Sequence, residues 1–132
     1  MQTHIGISRE ELFHTNETHS AHSYGNTGVH VVATVALIAF VEQCAGLLLK
    51  TVIKNDEISV GSIVNIKHRA VATLGTPIRV QCEICAYEQN KVLFSSKVYQ
   101  NDLLILEGTH GRVVIAKRSF SSLSNLQHQR GV

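Results

Sequence analysis

Tryptophan is absent from this 132-residue chain, proline occurs once, and the aromatic residues are limited to four phenylalanines and three tyrosines. So few rings provide no stacking platform for single-stranded nucleic acid, and a formal net charge of +2 provides no basic stripe for a phosphate backbone. Nucleic acid is therefore not an expected partner. Cysteine is also scarce. Cys44, Cys82 and Cys85 are odd in number and lack the dense spacing of a disulfide framework, and no basic-then-apolar signal segment opens the chain. A reducing, cytoplasmic setting is expected. Cys82 and Cys85 form a C-x-x-C, but within a strand-like stretch an offset of three sends their side chains to opposite faces. Zinc requires converging thiolates and two further ligands, so neither a metal nor a redox cofactor is expected.

The length, with 44% hydrophobic residues, suits a single domain, residues 1–132, built on one apolar core. From Arg118 the composition turns to Ser, Asn, Gln and Gly, and residues 118–132 are expected to form a mobile tail. The apolar run from Val29 to Leu49 is long enough to span a bilayer. Glu42 and Gln43 argue against that reading, because an ionised carboxylate at the centre of a span costs about 2.5 kcal/mol or more. The downstream sequence is amphipathic strand, so a helix enclosed by protein is expected and a membrane partner is not.

Residues 1 to 28 are polar, with a weak extended stretch near Glu11 to Thr15, and predict one strand and a loop. His19 and His22 have no nearby cysteine or patterned carboxylate and read as solvated loop histidines. Val31 to Lys50 is too long for a strand and has no proline, so it predicts a helix, apolar on every face. The remainder alternates with period two. Val60, Val64, Ile66 and Ala70 are expected to share one strand face with His68, opposite Ser59, Asn65, Lys67 and Arg69. In the next strand Ile78, Val80, Cys82, Ile84 and Ala86 oppose Arg79, Gln81, Glu83 and Tyr87. Gln89 to Lys91 predict a tight turn into Val92–Tyr99, and Asn101 and Asp102 turn the chain into Leu103–Lys117. That last strand contains Gly108 and Gly111, where a bulge or a close backbone approach is expected. One long buried helix with about five antiparallel strands is an α+β arrangement, in which a curved sheet wraps one side of the helix and a partner subunit completes the burial.

Three side chains are candidates for chemistry. Glu42 sets a carboxylate in the middle of an apolar helix, and burying it unpaired would be costly. Either it closes a hydrogen-bond network or a dimer contact, or its surroundings tune it as general bases and nucleophiles require. His68 on an inward strand face is either a satisfied core residue or, together with Glu42, half of a proton relay, provided the two approach within hydrogen-bond distance. Thr34 lies eight residues before Glu42, about 12 Å along the helix and about 80° around it. It either closes the first turn or stands beside free backbone N–H groups able to hold an oxyanion.

Taken together, Ala33-Thr34-Val35, Glu42, Gly61, His68 and Gly108-Thr109-His110-Gly111-Arg112 resemble the fluoroacetyl-CoA thioesterase type of hot-dog protein, over about Val31 to Lys117. The resemblance implies a hot-dog fold and hydrolysis of a small acyl-coenzyme A by Thr34, Glu42 and His68, at separations of 8 and 26 residues. It also implies an acyl-CoA pocket between the subunits of a homodimer, or of a dimer of dimers. Gly61 is similar to the family's glycine that lets backbone approach the thioester, and His110 and Arg112 are similar to its Gly-Thr-His-x-Arg strand, a substrate-binding element. Where the family carries lid phenylalanines this chain has Gly28, Val29 and His30, which points to a more general small acyl group. Coenzyme A enters only as part of the substrate, so no cofactor is implied. The alternatives are a non-catalytic acyl-CoA-binding or regulatory dimer and an enoyl-CoA hydratase; the hydratase needs a loop Asp that only Asp56 is placed to supply.

Overall fold

A computed structural model describes residues 4–122 and 125. Strand β1 (Ser8–Phe13) leads through two single-turn 3-10 helices (Glu17–His19 and His22–Tyr24) into helix α1 (Thr34–Lys50). Four long strands follow: β2 (Glu57–His68), β3 (Ile78–Glu88), β4 (Lys91–Gln100) and β5 (Leu103–Ala116). All pairings are antiparallel, in one five-stranded sheet of order β1-β3-β4-β5-β2. The leading strand begins earlier than the Glu11–Thr15 stretch suggests, and the helix starts at Thr34, because Val32 and Ala33 give their N–H groups to Ala72 and His19 across the entry loop. Residues 117–122 are helical; the rest of the expected tail, apart from residue 125, lies outside the described residues.

The core forms where α1 lies in the concave side of the sheet. Leu37, Val41, Cys44, Ala45, Leu48 and Leu49 meet Val80, Cys82, Ile84, Phe94, Val98 and Leu106, all buried. Only one side of the helix is covered. Positions 34, 35, 38, 39, 42, 43, 46, 47 and 50 form a stripe that stays partly or fully open. The stripe contains Val35 and Leu47, 51% and 40% exposed. The helix is not apolar on every face as expected: Glu42, Gln43 and Lys50 all lie on this open stripe, and the sheet covers the wholly apolar half. Among the described residues no helix is long and apolar enough to cross a membrane.

Of three register shifts in the sheet, one of them between β4 and β5 at Val98/Tyr99, two change the expected strand faces. The β2–β5 register shifts between Gly61 and Ile63, with Ser62 as the extra residue. A bulge reverses the phase of a period-two pattern. Ser59 and Gly61 therefore face α1 in the first half of β2, and Val64, Ile66 and His68 do so in the second, while Val60 turns outward. The second shift lies between Ile84 and Ala86. It leaves Ala86 exposed and packs Tyr87 against the core, the reverse of the expectation. At Gly108 the anticipated feature is a close approach. Its φ is +155°, and a Cβ there would run into the backbone of Asn65 on β2.

Candidate active site

Helix α1 begins without a side-chain cap, after Ala33 in extended conformation. Among the described residues nothing accepts from the backbone N–H groups of Thr34 or Val35. Thr34 follows directly, exposed, and its Oγ1 lies 2.7 Å from Nδ1 of His68 at the end of β2. The second half of β2 carries His68 inward because of the bulge at Ser62, so the histidine meets the first turn of the helix and not its middle.

Two turns further along, Glu42 has its own histidine. Oε1 of Glu42 stands 3.3 Å from Nε2 of His110, which β5 delivers from beneath. The imidazole is fully buried whereas the Glu42 side chain is 43% exposed. Burial holds the His110 pKa below the ordinary histidine value, partly offset by the Glu42 carboxylate. A neutral imidazole facing a carboxylate must carry its hydrogen on Nε2, which leaves Nδ1 as a bare acceptor, and that atom is buried without a partner. Gly61 makes room for the arrangement, since a Cβ there would overlap Oε1 of Glu42.

Arg112 fastens the same helix to β2. Its Nε donates to Ser59 Oγ at 2.9 Å, and its two terminal nitrogens donate to the carbonyls of Ser59 at 3.1 Å and Glu42 at 3.3 Å. Gly46 on α1 faces the guanidinium at van der Waals distance. Within the protomer His110 and Arg112 thus turn their polar atoms to Glu42 and its backbone, and a ligand has no access to the buried His110. Glu42 and His68 are not hydrogen-bonded to each other. The relay anticipated between them is replaced by two separate pairs, Thr34–His68 and Glu42–His110. Ser59 is a residue that sequence alternation misassigns to the outer face, because the bulge was not legible.

The C-x-x-C separates as expected, with Cys82 buried and Cys85 exposed. Cys82 meets Cys44 of α1 instead, Sγ to Sγ 3.2 Å, both as free thiols in the core. Among the described residues no group of three or more His, Cys, Asp or Glu side chains is placed to hold a metal ion.

One long helix cradled by a five-stranded antiparallel sheet of this order is the hot-dog fold. Solved structures agree, at identities that establish the fold alone. The fluoroacetyl-CoA thioesterase FlK is 18% identical over 93% of this chain and 96% of its own, with a TM-score of 0.85. A hot-dog-like protein from Thermanaerovibrio acidaminovorans is 19% identical over 93% and 91%, TM-score 0.86. A thioesterase superfamily member from Thermus thermophilus is 21% identical over 96% and 93%, TM-score 0.89. No curated protein sequence matches the chain. The sequence model of the fluoroacetyl-CoA-specific thioesterases matches residues 15–118, and the chain belongs to that family.

Proposed function

We propose that the protein hydrolyses the thioester of a small acyl-coenzyme A, releasing coenzyme A and a carboxylic acid, with Thr34, Glu42 and His68 as the reacting group. The observation that carries this reading is the half-open Glu42 carboxylate, held from beneath by His110 and seated over Gly61, on the helix stripe that also presents Thr34. In this reading a water adds to the carbonyl carbon while Glu42 takes its proton. The carbonyl electron pair moves onto oxygen; because Thr34 and Val35 lie about 12 Å along α1 from Glu42 of the same protomer, their free N–H groups, each such donor being worth about 3 kcal/mol, would reach that oxygen from the second copy of a dimer. Collapse re-forms the carbonyl and breaks the carbon–sulfur bond, and the proton on Glu42 passes to the leaving sulfur. With His68 Nδ1–H donating to Thr34 Oγ1, the threonine hydroxyl keeps its own hydrogen for the oxyanion.

A homodimer belongs to the same proposal. The open stripe of α1, with Val35 and Leu47, and the unpaired edge of β2, with Ile63 and Val64 at 54% and 47% exposure, present apolar side chains that a second copy would cover. The test is release of free thiol from acyl-CoAs ranging from acetyl and fluoroacetyl to medium-chain and aryl, with Glu42→Gln alongside. Saturable hydrolysis lost in the variant is expected. Binding of acyl-CoA without thiol release would replace the hydrolase with an acyl-CoA-binding dimer.

A further inference from the structure

A cluster of positive charge lies where α1 ends. A cleft of about 440 Å³ is bordered by Lys50, Lys54, Lys117 and Arg112, with Glu57 as the lone carboxylate in its wall. Glu57 is already engaged, its Oε1 accepting from the backbone N–H of Lys54 at 2.9 Å. Among the described residues none of the three lysines makes an ion pair. Surface lysines are ordinarily scattered among acids, so unpaired cations around a concavity form an electrostatic trap for an anion.

The cleft is also continuous with the candidate site. Gly46, Lys50 and Arg112 line both it and a neighbouring depression of about 530 Å³ that opens onto Glu42 and Leu47. Lys50 lies eight residues after Glu42, so the cations begin about 12 Å along the helix from the carboxylate. An elongated ligand with its reactive end at Glu42 would lay its other end among the lysines. We propose that this cleft receives the phosphate groups of coenzyme A, the diphosphate and the ribose 3′-phosphate, while the acyl end lies at Glu42. The proposal rests on the reading of the substrate as an acyl-CoA and assigns its anionic end to Lys50, Lys54 and Lys117.

The test pairs binding with kinetics, using the full chain and the exposed-lysine variant Lys50→Ala/Lys54→Ala/Lys117→Ala, with Lys54→Ala alone as a milder second variant. Adenosine 3′,5′-bisphosphate, which carries no thioester, is titrated by calorimetry. Its affinity is expected to fall roughly tenfold or more in the triple variant and to weaken with added salt. In parallel, kcat/KM for an acyl-CoA is divided by kcat/KM for the matching N-acetylcysteamine thioester, which lacks the nucleotide. That ratio should fall by about the same factor. Nucleotide affinity and ratio unchanged in both variants, or no nucleotide binding by the wild type, would overturn the cleft assignment while leaving hydrolysis intact. Lysine-dependent nucleotide binding without thiol release from any thioester would do the reverse, sustaining the cleft and sinking the hydrolase.

Discussion

Two of the histidines that meet helix α1, His68 and His110, differ in what they can do. His68 is exposed, at the first turn, 2.7 Å from a hydroxyl. His110 is sealed beneath the helix centre, 3.3 Å from a carboxylate, with its second nitrogen unpartnered. A solvent-facing imidazole is open to a ligand, whereas a buried one held neutral has a fixed tautomer and can only orient what it touches. The comparison separates the exposed side chains to which the proposed mechanism gives the chemistry, Glu42 and His68, from the residues that hold Glu42 in place, His110, Arg112 and Gly61.

Substitutions should break that division in a graded order. Glu42→Gln removes the proposed base while keeping the shape and is expected to lower kcat about 10²–10⁴-fold with the fold intact, measured by thiol release and circular dichroism. Activity retained after this substitution would remove Glu42 from the mechanism. Gly61→Ala is expected to lower kcat on the order of 10²-fold at nearly unchanged melting temperature, because the new methyl collides with the mobile end of Glu42 and not with backbone. Gly108→Ala is the opposite case. Its Cβ meets the Asn65 backbone, so it should cost about 1–3 kcal/mol of stability, read from denaturant midpoints.

His110→Gln should lower kcat about tenfold by loosening the carboxylate, with a second signature in pH dependence. Burial depresses the folded-state pKa of His110, so the unfolded chain takes up this proton first. The wild type should therefore lose stability as pH falls through about 6.5, the unfolded value, and the variant should lose less over the same window. Equal slopes would mean that His110 is not held neutral. The smallest effect is expected from Thr34→Ser, which keeps the hydroxyl beside His68 and should cost only a few-fold in kcat, whereas Thr34→Ala should cost about 10-fold or more.

Much of the architecture was legible because it follows from period and length. The helix over Val31–Lys50, the two short turns and the inward set Ile78, Val80, Cys82 and Ile84 all appear near their expected places. So does the half-covered helix. The bulges at Ser62 and Cys85 were not legible, since one inserted residue leaves composition unchanged yet reverses every face beyond it. That is why Ser59 and Val60 exchange sides and Tyr87 turns inward. In the site, Thr34, Glu42 and His68 could be singled out from the sequence pattern, and Gly61, His110 and Arg112 only from the family resemblance, but their pairing could not. Which histidine meets which partner depends on how far each strand carries it along the helix. His68 ends its strand at the helix start, and His110 sits mid-strand beneath Glu42.

The free edge of β2 also bears on handling the protein. A single chain presents an unpaired run of backbone donors and acceptors flanked by Ile63 and Val64, a template to which any extended peptide can add. Dilution or a mutation that splits the proposed dimer would then lead to strand addition and precipitation and not to a quiescent monomer. Soluble yield should accordingly track protein concentration during purification more closely than it tracks melting temperature.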